Sequence, residues 1–160
     1  MAEGYTRKQI SEFLNMPERT INYYTQTKVV IPEIDKGKGR GTVRRYSKKN
    51  IVELAILKQL SGYGLSFQTV EKVFRLLLKF PFPVQDKGIT MIDRRGIIAH
   101  WEKMKPDSFI VLYQTDGGGF KLEMSLGLSV NMVLNEDRMQ DSGSALIINI
   151  GRIVTLIKDL

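Results

Sequence analysis

An α+β fold in two parts follows from three observations. Helical spacing of apolar residues dominates up to Lys79, Pro81 and Pro83 interrupt it, and alternating or β-branched stretches appear afterwards. The 160 residues suffice for one ordinary domain or two very small ones. The expected division is an N-terminal helical domain at residues 1–80, a proline-containing linker at 81–88 and a small α+β domain at 89–160.

Each element has its own signal. Thr6 caps a short helix carrying Ile10, Phe13 and Leu14 on one side, with Gln9 at the capping-box position. After the turn Leu14-Asn15-Met16-Pro17, a second helix reads from Glu18 to about Gln26, with Ile21 and Tyr24 three residues apart. Gly37, Gly39 and Gly41 exclude a helix between Ile34 and Tyr46. With β-branched Thr42 and Val43 behind them, they predict a glycine-tipped hairpin. Ser47 caps a helix bearing Ile51, Leu54, Leu57 and Leu60, ended by Gly62 and Gly64. Ser66 opens another, with Val70, Val73, Phe74, Leu77 and Leu78 at i, i+3, i+4, i+7 and i+8.

Beyond the prolines, Phe109 to Gln114 and Phe120 to Met124 flank the turn Asp116-Gly117-Gly118-Gly119 as an antiparallel hairpin. Residues 89–93 and 97–101, around Arg94-Arg95-Gly96, fit a further hairpin or an interrupted helix. Ala145 to Ile150 reads as a strand and Gly151 to Leu160 as a short helix, although Leu146, Ile150, Ile153, Ile157 and Leu160 also keep a helical spacing.

Composition removes whole classes of chemistry. Without cysteine there is no disulfide framework, thiolate metal site or cysteine nucleophile. A lone histidine, His100, gives a zinc site or a serine triad little to build on. Glu136, Asp137 and Asp141 lack a calcium-loop glycine and read as a polar loop, and Trp101, Tyr113 and Phe120 read as core. The expectation is therefore no enzyme, no metal and no cofactor. No apolar run approaches the roughly 20 residues that span a bilayer, and the N-terminus lacks a secretory layout. A cytoplasmic protein without a membrane partner is expected.

Charge points to a partner. Residues 1–83 hold 15 Lys and Arg against 7 Asp and Glu, a net of +8, whereas residues 84–160 carry −1. Seven of the fourteen side chains at 36–49 are cationic and none is acidic. Such a ribbon can lie along a phosphate backbone and release its counterions. Helix, turn, helix, basic hairpin, helix is the layout of a winged helix-turn-helix, whose second helix enters the major groove while the wing touches the adjacent backbone. Arg19, Thr20, Asn22 and Tyr23 then supply hydrogen-bonding or stacking groups from one helix. Tyr24 joins them as a candidate, although its spacing from Ile21 also draws it to the core. Lys8, Arg40, Arg44, Arg45, Tyr46 and Lys48 complete the expected DNA-binding set.

Four motifs carry a resemblance: Tyr5-Thr6-Arg7-Lys8-Gln9-Ile10-Ser11-Glu12-Phe13-Leu14, Arg19-Thr20-Ile21-Asn22-Tyr23-Tyr24, Val43-Arg44-Arg45-Tyr46-Ser47 and Gly62-Tyr63-Gly64-Leu65-Ser66. In this order, over residues 5–78, they resemble the DNA-binding domain of the MerR family of transcription regulators. The resemblance implies a homodimer on a pseudo-palindromic operator in bacterial DNA, nucleoid-associated when bound, with RNA polymerase as a further partner. It also implies a switch that acts by deforming the DNA, at a cost of several kcal/mol, order of magnitude, that protein contacts offset. A small-molecule effector is compatible with the family but has no residue to support it here. The sequence departs from the family pattern where Asn22 replaces an arginine, Pro17 a capping Ser or Thr, Asn15 a turn glycine and Lys28 a glycine. The two prolines also interrupt the region of the family's long dimerisation helix, which shifts that role toward the C-terminal domain. An excisionase-like accessory that bends DNA without a promoter role is the alternative. Excisionases are usually shorter, so the second domain favours the regulator.

Overall fold

Thr6 begins the first helix as its sequence requires. In the computed structural model, which describes residues 4–37, 42–86, 89–94, 96–115, 119–126 and 145–160, the Thr6 hydroxyl accepts from the Gln9 amide and the Gln9 side chain accepts from the Thr6 amide. Helix α1, Arg7–Leu14, ends on Asn15 at a left-handed φ of 46°. Asn tolerates that conformation through its short polar side chain. Helix α2, Glu18–Gln26, starts behind Pro17, which supplies no capping side chain. Glu18 fills the first turn instead, favourable at the positive end of the helix. Lys28 stands at φ 58°, so the backbone keeps a glycine-like shape at this position, at a strain of about 1–2 kcal/mol for a residue with a Cβ.

Helix α3, Lys48–Gly62, is capped by Ser47 and apolar nearly all round; Ile51, Val52, Leu54, Ile56, Leu57 and Leu60 are buried. A helix of that kind must be covered on several sides. It packs against helix α4, Phe67–Lys79, against a 3-10 helix at Ile97–Lys103 and against helix α5, Ile150–Lys158. Helix α4 buries Val70, Val73, Phe74 and Leu77, the face its spacing predicts.

Strands β1, Phe82–Asp86, and β2, Ile89–Asp93, form an antiparallel pair with Val84 opposite Met91. Strands β3, Ser108–Gln114, β4, Phe120–Leu126, and β5, Ala145–Asn149, form an antiparallel sheet in the order β4-β3-β5. Ile110, on the central strand, pairs in register with Met124 on one side and Ile148 on the other. The Thr115 amide donates to Gly119 O at 3.0 Å and closes the expected β3–β4 hairpin. Strand then helix also holds at the C-terminal end of the chain.

Three expectations differ from the structure. Residues 82–86, inside the stretch read as linker, are strand β1; a two-stranded ribbon leaves edge positions where Pro83 needs no donor. Residues 89–93 pair backward with that strand rather than forward with 97–101. Gly96, at φ 95°, breaks the chain direction and the 3-10 helix follows. Phe13 is 41% exposed although it shares the spacing of Ile10 and Leu14.

The core is continuous across both halves. Ile21, Ile51, Leu57 and Phe74 belong to the same buried cluster as Ile97, Trp101, Ile110, Ile148 and Val154. At two places the backbone comes so close that only glycine fits: a methyl on Gly96 would collide with Leu78 O, and one on Gly151 with Lys105 O.

Candidate nucleic-acid interface

Helix α2 divides its residues by the helical repeat. Ile21, Tyr24 and Thr25 are buried, while Arg19, Asn22 and Tyr23, also spaced i, i+3 and i+4, share another face. Arg19 and Tyr23 are exposed and Asn22 and Thr20 are half-buried. Tyr23 is 43% exposed, and its ring meets Phe67 edge-on at 4.2 Å, which fixes the direction in which the phenol points.

The wing returns beside this helix. Asp35 and Arg45 exchange backbone hydrogen bonds of 3.1 and 2.9 Å, and Tyr46 does the same with Tyr5 at 2.9 Å. Gly37 turns at φ 69°, and its amide donates to Asp35 Oδ1 at 2.8 Å. The hairpin tip at residues 38–41, and with it Arg40, lies outside the described residues. Arg44 Nη1 donates to Asn22 Oδ1 at 3.2 Å, and Arg45 Nη1 donates to Gly4 O at 3.0 Å. Among the described residues neither guanidinium has a carboxylate partner.

A cleft of about 410 Å³ lies between helix α1, the start of helix α2 and the wing, lined by Arg7, Lys8, Glu18, Thr42, Arg44 and others. Lys8 is exposed and 4.0 Å from Glu12; Arg7 is bound by Glu18 at 2.7 Å. Residue spacing does not single out Arg7 as a site residue, though it stands next to Lys8. Nor does it single out Phe67, which backs Tyr23; the signal there is an aromatic residue opening an amphipathic helix.

Three expected contact residues sit elsewhere. Tyr24 is 0% exposed, its ring stacked on Phe67 at 5.0 Å and its hydroxyl 3.2 Å from Ser61 Oγ. Burial pushes its phenol above the usual range despite the Ser61 hydrogen bond. Tyr46 is 1% exposed, with its hydroxyl 3.0 Å from Thr25 Oγ1. These two rings hold helix α2 and the wing in place from within, because each is spaced on the core side of its element. Lys48, the first residue of helix α3, donates to Lys158 O at 3.1 Å, toward the C-terminal half rather than into the cleft.

Beneath the wing, both of its ends are fastened by one buried side chain. Asn50 Oδ1 accepts from the amides of Glu33 and Ser47 at 3.0 and 3.2 Å, and Asn50 Nδ2 donates to Ile31 O at 3.0 Å and Glu53 Oε2 at 2.9 Å. Burial raises the Glu53 carboxyl to about 7, against the opposing pull of Asn50 and Lys49. Glu33 is partly buried too, but hydrogen bonds from Lys49 and Ser47, with the Lys49 charge, hold its carboxyl below the usual range.

A short helix with one exposed polar face, tied to a basic β wing, defines the winged helix-turn-helix class of nucleic-acid-binding domains. Comparison with known proteins narrows this. Residues 5–77 match the family described as MerR HTH family regulatory protein, and this segment is a MerR-family helix-turn-helix domain. Proteins named uncharacterized HTH-type transcriptional regulators, from Mycobacterium bovis and Mycobacterium tuberculosis, are each 31% identical over 67 residues. The alignment covers 42% of this chain and 30% of those relatives. No helix among the described residues is long and apolar enough to cross a membrane.

Proposed function

We propose that the chain is a sequence-specific DNA-binding transcription regulator of MerR type, which binds a pseudo-palindromic operator as a homodimer. Arg19, Asn22 and Tyr23 meet base edges and adjoining phosphates from helix α2 in the major groove. Arg44 and Arg45 of the wing, with Lys8, neutralise phosphates, and Arg40 at the wing tip extends the same role. The C-terminal half dimerises the chain or receives a signal, and RNA polymerase is the protein partner at the promoter. The observation that carries this reading is the Arg44–Asn22 hydrogen bond, which joins the wing to the exposed face of helix α2 in the basic half of the chain.

A footprint on chromosomal DNA tests it. Protection centred between two promoter elements supports the regulator. Protection at a phage attachment site, with no effect on transcription, assigns the chain to the excisionase-like accessories.

A further inference from the structure

An ion pair stands in the cleft between helix α1, the start of helix α2 and the wing. Arg7 Nε and Glu18 Oε2 are 2.7 Å apart, with 45% and 43% of their side chains exposed. A pair so exposed contributes little to stability. Nor do helices α1 and α2 need it as a clasp, because Ile10 and Leu14 of one and Ile21 of the other share the buried core. The other charged side chains that line the cleft, Lys8 and Arg44, are both cationic, and Glu18 is the one carboxylate among its described lining residues. Lys8 is loosely held, 4.0 Å from Glu12, and Arg44 has no carboxylate within 4.0 Å among the described residues. Glu18 thus places a single negative charge, already bound to an arginine, in a cleft of positive ones.

We propose that Arg7 is a further DNA-contacting residue and that Glu18 is its built-in competitor. The carboxylate holds the guanidinium in the free chain and yields it to a backbone phosphate when duplex DNA enters the cleft. This exchange rests on the DNA-binding reading of helix α2 and the wing, and adds regulation to the same interface. Carboxylate and phosphate suit the guanidinium fork alike, so Arg7 stays paired throughout. The phosphate wins because neutralising it releases counterions condensed on the duplex, whereas an exposed ion pair is weak and releases none. Glu18 then faces the DNA without its partner, and that cost weakens the grip on every duplex alike.

Anisotropy of a fluorescent random-sequence duplex, titrated with the full chain over a salt series that starts low, tests the exchange. Glu18→Gln should bind roughly two- to fivefold tighter, the fold-change that corresponds to one exposed ion pair. Arg7→Gln should bind more weakly, with a slope of log affinity against log salt shallower by roughly one. Arg7→Lys keeps the charge and should keep the parent slope. Glu71→Gln is the control. It changes the net charge equally and frees Arg75 from a pair of the same 2.7 Å length on helix α4, outside the cleft, so affinity should stay as in the parent. The Arg7 and Glu18 variants read the exchange independently, and thermal melts show that each is folded. A parent chain that binds no duplex overturns the DNA-binding reading and the exchange together. A parent that binds, with no gain in Glu18→Gln, an equal gain in Glu71→Gln or an unchanged slope in Arg7→Gln, overturns the exchange alone.

Discussion

Arg44 and Asn22, 22 residues apart, meet at 3.2 Å across the gap between the wing and helix α2. The hydrogen bond engages the Asn22 carbonyl oxygen, while its amide NH₂ carries two further donors. It also holds the Arg44 guanidinium beside the helix without neutralising it. The departure from an arginine at position 22 thereby gains a physical role: an arginine there would repel Arg44, whereas asparagine orients it.

Arg44→Ala and Arg45→Ala are each expected to weaken binding to all duplex sequences alike. Each should lower the slope of log affinity against log salt by roughly one for every phosphate that the missing guanidinium no longer neutralises. Fluorescence anisotropy over a salt series measures this. An unchanged slope in both variants removes the wing from the interface.

Asn22→Ala should act differently, changing preference at one position in each half-site by about 1–3 kcal/mol. Selection from randomised duplexes reads it directly. A uniform loss across all sites in Asn22→Ala would show that Asn22 only positions the backbone.

Glu53 makes stability depend on pH. Its folded pKa of about 7 lies above the ordinary 4.5, so the folded chain holds a proton that the unfolded chain loses first. The contribution is fully present below 4.5 and is lost as pH rises through 7, on the order of 3 kcal/mol in all. Glu53→Gln should therefore melt higher than the parent above pH 7 and about equally near pH 4.5. Glu33, whose carboxyl is held low, works in the opposite sense and loses its contribution in acid. Thermal melts across this range test the sign; a parent chain whose stability rises between 4.5 and 7 relative to Glu53→Gln contradicts it.

Most of the N-terminal half is legible in residue spacing. Thr6, Ser47 and Ser66 mark helix starts because their hydroxyls cap, and the three glycines of 37–41 mark the wing. The exposed face of helix α2 follows from the buried one. What spacing cannot give is the pairing of distant segments. Residues 82–86 and 89–93 form a hairpin only because they find each other, and neither proline nor composition announces that. Tyr46 and Lys48 sit in a run of cations, and only the tertiary structure turns the first inward to Thr25 and the second toward Lys158.

Truncation after Phe80 should cost more than a dimer interface. Trp101, Ile150 and Val154 share one core with helix α3, so removing them leaves an apolar helix exposed to water. The fragment 1–80 is expected to lose cooperative melting by circular dichroism, whereas the full chain should sediment as a dimer. A fragment that melts cooperatively and sediments as a tight dimer shows that the C-terminal half is dispensable for both.

The most direct measurement is selection of binding sites for the full chain from a pool of randomised duplex DNA, followed by the same selection with Arg19→Ala and Arg44→Ala. Enrichment of an inverted repeat by the parent chain, weakened or altered in both variants, is the outcome that a joint grip by helix α2 and the wing predicts. A pool that stays random, or a motif that neither variant disturbs, contradicts it.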